Sequence, residues 1–507
     1  MKHISLLFFS SFLVLINLIP ACAADDIRLS GVRPPAVSGQ FYPADPKKLD
    51  QTIRQYLDES KPIPMKDPIA ILVPHAGYLY SGQILADAYR QIEGRQYDVF
   101  VILGVNHTTA DFSGVSLADY ESFRTPLGDA QVDRTVTDAL MAECSDCVLS
   151  RDVHIKEHSI EVQLPFLQTL FPKAKIVPII IHPPDFDMCS RFGTALARVL
   201  KNRKALIIIS SDLSHYPAAS DAAKADSKTL TTIAGMDPKQ IASVMHVLDV
   251  PNLETRACGE AAILSGIIAA RILGAERAII AGYANSGNVT LGDRTSCVGY
   301  GAVAFVAGKE PNDLHLLDRT ELSASATPLT DSEKKLLLEF SRKTLQQFLT
   351  TETLPLLRPD SSRFKFSQGA FVTLKKDNQL RGCIGSILPE DELGRTVGKM
   401  TLYAALKDPR FQPVKPDELK HIEIEISVLS PLKQIDDPAQ IVIGRDGVLL
   451  IKEGASAVFL PQVAPEQNWN RTEMLGNLCL KAGLATNCWE KDVTLQTFQA
   501  DVFSESQ

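Results

Sequence analysis

Between Ile69 and about Ala307, short apolar, β-branched runs alternate with longer helix-like stretches. The runs are Ile69–Val73, Val99–Leu103, Lys175–Ile181, Ala205–Ser210 and Arg277–Ala281. Between them fall Gly82–Ile92, Ser159–Phe171, Arg191–Leu200 and Glu260–Leu273. Parallel strands need long crossovers, so this rhythm predicts an α/β domain with a mainly parallel central sheet. In such an open sheet the loops that follow the strands' carboxyl ends meet along one edge, where ligands bind.

Three of the runs deliver a histidine to that edge. Ile69–Val73 continues into Pro74-His75-Ala76-Gly77-Tyr78, Val99–Leu103 into Gly104-Val105-Asn106-His107, and Ala205–Ser210 into Ser211-Asp212-Leu213-Ser214-His215. A lone histidine is more often structural or solvated than a ligand. Three in equivalent places, each beside turn-forming residues, point instead to one shared site. Cys258, in Ala257-Cys258-Gly259-Glu260, lies just ahead of an apolar helix, where a thiol is biased toward thiolate and so toward metal or nucleophilic use. A small buried hydrophobe is the plainer reading of the same residue. His158 and Glu161 stand at the mouth of another helix, and there helix-start electrostatics is the plainer reading.

At 507 residues, the chain is long enough for two or three cores. The stretch Gly308–Thr330 has polar, Pro- and Ser-bearing ends and reads as a linker over 309–329. Thr330 then caps a helix running through Leu349, with Glu333 completing a capping box. Beyond it, strand-like runs (Gly369–Leu374, Ile422–Leu429, Gly447–Ile451, Ala457–Leu460) mix irregularly with helical ones (Asp391–Leu406, Arg471–Ala482). That order predicts an α+β domain over 330–504.

Lys2 and His3, an apolar run Ile4–Ile19, and Pro20-Ala21-Cys22-Ala23-Ala24 describe a secretory signal over 1–23, and hence export to the periplasm. A cut after Ala23 uses the small pair Ala21 and Ala23. A cut before Cys22 would leave a lipid-anchored cysteine, since Ile19-Pro20-Ala21-Cys22 resembles a bacterial lipobox. Of nine cysteines, Cys144 and Cys147 form a C-x-x-C that could close a small disulfide; without a second such pair, a zinc knuckle has no support. A net charge of -8 excludes a basic footprint and argues against nucleic acid as partner.

These residues carry a resemblance. The segments Val37-Ser38-Gly39-Gln40-Phe41-Tyr42, Val73-Pro74-His75-Ala76-Gly77-Tyr78, Glu157-His158-Ser159-Ile160-Glu161, Ser210-Ser211-Asp212 and Cys258-Gly259 span a first domain over 32–308. They resemble the Memo (mediator of cell motility) family, itself similar in fold to class III extradiol dioxygenases. The resemblance implies a metal held by His75, His107 and Cys258, with His215 as acid/base and with Asp212 and His158 lining the pocket. Two imidazoles and one anionic ligand echo the facial triad of non-haem Fe(II) enzymes, although a thiolate also suits copper or zinc. Glu260 is the alternative third ligand.

The second domain resembles the AMMECR family, through Leu380-Arg381-Gly382-Cys383-Ile384-Gly385, Asp408-Pro409-Arg410-Phe411 and Glu423–Ser430. Cys383 beside Arg381 reads either as a reactive thiol or as a buried cysteine at a strand turn. The two families accompany a radical-SAM enzyme in the AmmeMemoRadiSam system. The expected function is therefore a metal-dependent, dioxygenase-like redox protein acting on a small molecule or a modified protein. A zinc hydrolase or a non-catalytic binding module at the same site are the alternatives.

Overall fold

The computed structural model describes residues 31–308, 329–356, 362–387, 391–452 and 454–506. The signal segment 1–23, its Cys22 and nearly all of the 309–329 linker lie outside the described residues. No described helix is long and apolar enough to cross a membrane.

Eleven strands form the sheet of the first domain: β1 (Val32–Arg33), β2 (Ala70–Val73), β3 (Val99–Val105), β4 (Gly114–Ala118), β5 (Ser122–Thr125), β6 (Gly128–Val132), β7 (Cys147–Ser150), β8 (Lys175–His182), β9 (Ala205–Ser210), β10 (Arg277–Asn285) and β11 (Gly299–Val306). Their order is β1-β5-β6-β8-β3-β9-β2-β11-β10, with β4 joining β8 and β7 beyond it. The five central strands, β6 through β2, pair in parallel throughout. Every residue of β2 and β3 is buried, as befits strands covered on both faces.

Alternate residues of these strands feed two separate apolar layers. Leu103, Ile179 and Ile209 pack under the helices Phe186–Leu200 and Glu260–Ile272. Ile102, Ile180 and Ile208 face the helices Pro46–Glu59 and Tyr78–Tyr89.

The flanks supply the antiparallel part of this mainly parallel sheet. The run from Arg277 extends to Asn285 and pairs antiparallel with β11, which is itself antiparallel to β2. The expected Ser159–Phe171 helix is a 3-10 turn, Glu161–Gln163, followed by the helix Leu164–Leu170. Pro165, lacking an N–H, sits in the first turn, where that donor is not required.

The second domain is α+β. One antiparallel sheet comprises β12 (Ala370–Lys376), β13 (Gln379–Ser386), β14 (Ile422–Leu429) and β19 (Ala500–Ser504), in the order β13-β12-β14-β19. The helices Asp331–Thr351 and Leu393–Leu406 share its core. A second sheet holds β15 (Lys433–Ile435), β16 (Gly447–Lys452), β17 (Ala455–Phe459) and β18 (Thr494–Phe498), and packs with the helix Arg471–Lys481. Thr330 and Glu333 form the expected capping box. Cys144 is bonded to Cys147, and a second disulfide, which the sequence reading did not anticipate, joins Cys479 to Cys488.

The two domains touch along Pro46–Glu59 and Asp331–Thr351. Lys343 Nζ lies 2.9 Å from Glu59, Thr52 donates to the Thr351 carbonyl, and Thr351 donates to Gln55.

Candidate metal centre

Strands β3, β9 and β2 are neighbours, so the loops that follow them open at one edge. His75 lies two residues past β2 and His107 two past β3; His158 arrives from the segment ahead of the Glu161–Gln163 turn. One ring nitrogen from each of these three imidazoles lies within 4.8 Å of the others, close enough for all three to hold a single metal ion. The rings pack edge-on, His75 against His107 at 5.1 Å and against His158 at 5.5 Å, whereas His107 and His158 stack at 4.7 Å.

The surrounding hydrogen bonds fix which nitrogen faces inward. Ser210 spends its one proton on the Ser159 carbonyl at 2.7 Å, so toward His75 Nδ1, at 3.0 Å, it can only accept. His75 therefore carries its proton on Nδ1 and presents a lone pair on Nε2. His107 Nδ1 donates to Glu157 Oε1 at 3.0 Å, which likewise leaves Nε2 free to ligate. Burial, followed by the charges of His107 and His158, holds the His75 pKa well below the ordinary histidine value. Burial opposes charge on His107 too, but the hydrogen bond and charge of Glu157 outweigh it and raise that pKa.

Cys258 Sγ lies 3.2 Å from His75 Nε2. The sequence reading expected a thiolate there. Burial and the nearby Asp212 carboxylate instead push the thiol pKa up, so without a cation the proton stays on sulfur, 3.8 Å from the Asp212 carbonyl. Asp212 Oδ1 accepts from His75 N at 2.7 Å, and its other oxygen is 4.0 Å from His75 Nε2; burial raises its pKa to about 7. His215 stands outside the three-imidazole cluster. Its Nε2 is buried with no hydrogen-bond partner among the described residues, and burial, then the charge of His107, lowers its pKa to about 4.

Two residues weighed for the site lie elsewhere. Glu260, the alternative carboxylate ligand, sits 3.6 Å from His246 and forms no part of the cluster. Glu161 is fully buried against Arg33, Tyr42 and the amides of Ala36 and Val37, so it anchors the fold.

Three supporting residues escaped the sequence reading. Glu157 accepts from four donors: His107 N, His107 Nδ1, His158 N and Ser159 N. Ser210 sets the tautomer of His75. Arg33, wholly buried, donates to the carbonyls of His154 and Glu157 and so fixes the segment that carries Glu157 and His158. Gly259 has its own geometric reason, since a Cβ there would fall 2.5 Å from Ser211 Cβ and 2.8 Å from the Ser210 carbonyl. Only glycine lets the Cys258 loop approach β9 this closely.

A family profile described as Memo-like protein matches residues 33–304. The chain belongs to the Memo-like family. A MEMO1 family protein of Methanocaldococcus jannaschii is 38% identical over 289 residues, covering 54% of this chain and 98% of that relative. One from Aquifex aeolicus is 34% identical over 276 residues, covering 54% and 99%. A second profile, AMMECR1, matches residues 338–503, so this Memo-like domain shares its chain with an AMMECR1 domain. Among solved structures, an uncharacterized protein from Pyrococcus horikoshii matches with 34% identity and a TM-score of 0.34, covering 35% of this chain and 93% of its own. All of the residues gathered at the imidazole cluster fall inside the Memo-like match.

Proposed function

We propose that the Memo-like domain is a mononuclear metal centre with a redox, dioxygenase-like function, that iron is its metal, and that His75, His107 and Cys258 hold it. The observation that supports a metal here is the gathering of one ring nitrogen each from His75, His107 and His158 within 4.8 Å of one another, and Cys258 enters the reading because its sulfur lies 3.2 Å from His75 Nε2. The donor set fits a divalent ion, since neutral imidazoles together with a thiol that can ionise are what iron, copper or zinc takes. Once bound, iron supplies a Lewis-acidic, redox-active centre with positions left for substrate.

The chain's own residues do the rest. His215, neutral at physiological pH and unpaired at Nε2, accepts or returns a proton. Asp212 holds the His75 loop through its backbone amide, and His158, wedged between His107 and Phe41, forms one wall.

Protein purified anaerobically should contain about one iron or copper atom per chain, as a mononuclear site requires. A His75→Ala/His107→Ala variant should contain none; equal metal content in that variant would refute the site. Cobalt-loaded protein distinguishes the ligand sets, because Cys258→Ala should abolish a sulfur-to-metal charge-transfer band that His158→Ala retains. Three imidazoles also suit catalytic zinc, which favours a zinc hydrolase as the second reading. Oxygen consumption during turnover separates the two.

Export belongs to the same proposal. Two disulfides support an oxidising compartment, where the chain would act apart from a cytoplasmic radical-SAM enzyme and be linked to it only through a shared small-molecule or modified-protein substrate. Periplasmic and membrane fractions, probed for the chain, test export and the Cys22 anchor together.

A further inference from the structure

The connection from Asn285 at the end of β10 to Gly299 at the start of β11 is held from two sides. On one side it is laced to the segment carrying His215. Tyr216 N donates to the Cys297 carbonyl at 2.7 Å, Cys297 N to Pro217 at 2.8 Å, Ala219 N to Arg294 at 2.9 Å and Gly299 N to Ser214 at 2.8 Å, while His215 itself bridges to Val298. Tyr216 needs this lacing, because its φ of 74° lies in the left-handed region that bulky side chains avoid.

On the other side the connection is held by the second domain. Arg395, on the helix Leu393–Leu406, is buried, and its guanidinium donates to the carbonyls of Gly287 (2.7 Å), Val289 (2.9 Å) and Gly292. Glu392 pairs with Arg294 at 3.0 Å, and Val289 bridges to Leu356. One buried arginine that donates to three carbonyls of the same turn makes this a plug rather than a surface contact.

We propose that the AMMECR1 domain braces the His215 wall of the metal site, and that Arg395 is the positioning residue through which it does so. Withdrawing Arg395 takes this donor from the buried Gly287 and Gly292 carbonyls and leaves the Val289 carbonyl only its bond from Gly292 N, so the loop must shift to reach water. That shift pulls on the Arg294–Gly299 half and loosens its lacing to Ser214–Ala219. The importance of His215 rests on the function proposed above; the coupling does not, and it can be read without metal.

Hydrogen exchange followed by mass spectrometry on the full chain tests it. Arg395→Ala should exchange roughly ten-fold faster or more at both 286–298 and 213–219, with β3 unchanged. Arg395→Lys, which keeps the charge but not the fork, should fall between that variant and the wild type. Acceleration confined to 286–298, or absent from both segments, overturns the proposal. Should Arg395→Ala exchange fast everywhere, including β3, the same criterion is applied to Arg395→Lys and to Glu392→Gln.

Discussion

Glu157 concentrates the local electrostatics of the site. One buried carboxylate accepts from four donors, and burial alone would raise its pKa, yet the hydrogen bond and charge of His107 bring it well below the ordinary value. Glu157→Gln puts an N–H where an acceptor is needed and frees His107 to rotate. Metal affinity should fall by about 10- to 100-fold, measured by competition with a chelator, while the fold persists. Asp226 gives a pH prediction away from the ligands. Buried, and accepting from Ser214 and Tyr283, its carboxyl is pushed up to about 7 by desolvation. The folded chain thus binds this proton more tightly than the unfolded chain does. The stability it contributes is whole below about pH 4 and is lost as pH rises through about 7. Asp226→Asn should therefore gain on the wild type in melting temperature between about pH 5 and pH 8; an unchanged difference across that range would count against the assignment.

At the scale of elements, two covalent or capping devices can be tested singly. The Cys479–Cys488 bond closes a short loop beside the helix Arg471–Lys481, and reducing it should cost about 3 kcal/mol by loop entropy, read from denaturant melts with and without reductant in a Cys144→Ser/Cys147→Ser background that lacks the other disulfide. Thr330→Ala removes the hydroxyl that accepts from Glu333 N and should cost about 1 kcal/mol. Elements with strong apolar periodicity were legible in the sequence: β9 and β14 fall on the expected residues, and β2, β3 and β8 lie within two. Elements that depend on partners were not. β13 hides because Gly382 and Gly385 interrupt Leu380-Arg381-Gly382-Cys383-Ile384-Gly385, and only pairing with β12 makes it a strand. Cys383 proves half-buried in that strand, taking a 3.3 Å contact from the Thr373 hydroxyl. His75 and His107 could be read from strand ends, but the third strand-end histidine, His215, stands outside the cluster, and His158 takes its place from the segment before the Glu161–Gln163 turn. Glu157 and Ser210 could not be read, since their roles depend on which proton goes where in three dimensions.

Across the whole molecule, metal and domain docking should act on one unfolding event. An ion present at about 100 times its Kd adds about 2.7 kcal/mol to the folded state. A thermal scan with iron or zinc should therefore shift upward against a chelator control, and His75→Ala/His107→Ala should show no shift. Because the second domain grips the first both through the Pro46–Glu59 helix and through the Arg395 plug, covalent continuity between them is dispensable once both have folded. A protease nick after Gly308 should yield two polypeptides that still migrate as one particle, parting only in denaturant. A gene split at that point could encode the same assembly as two products.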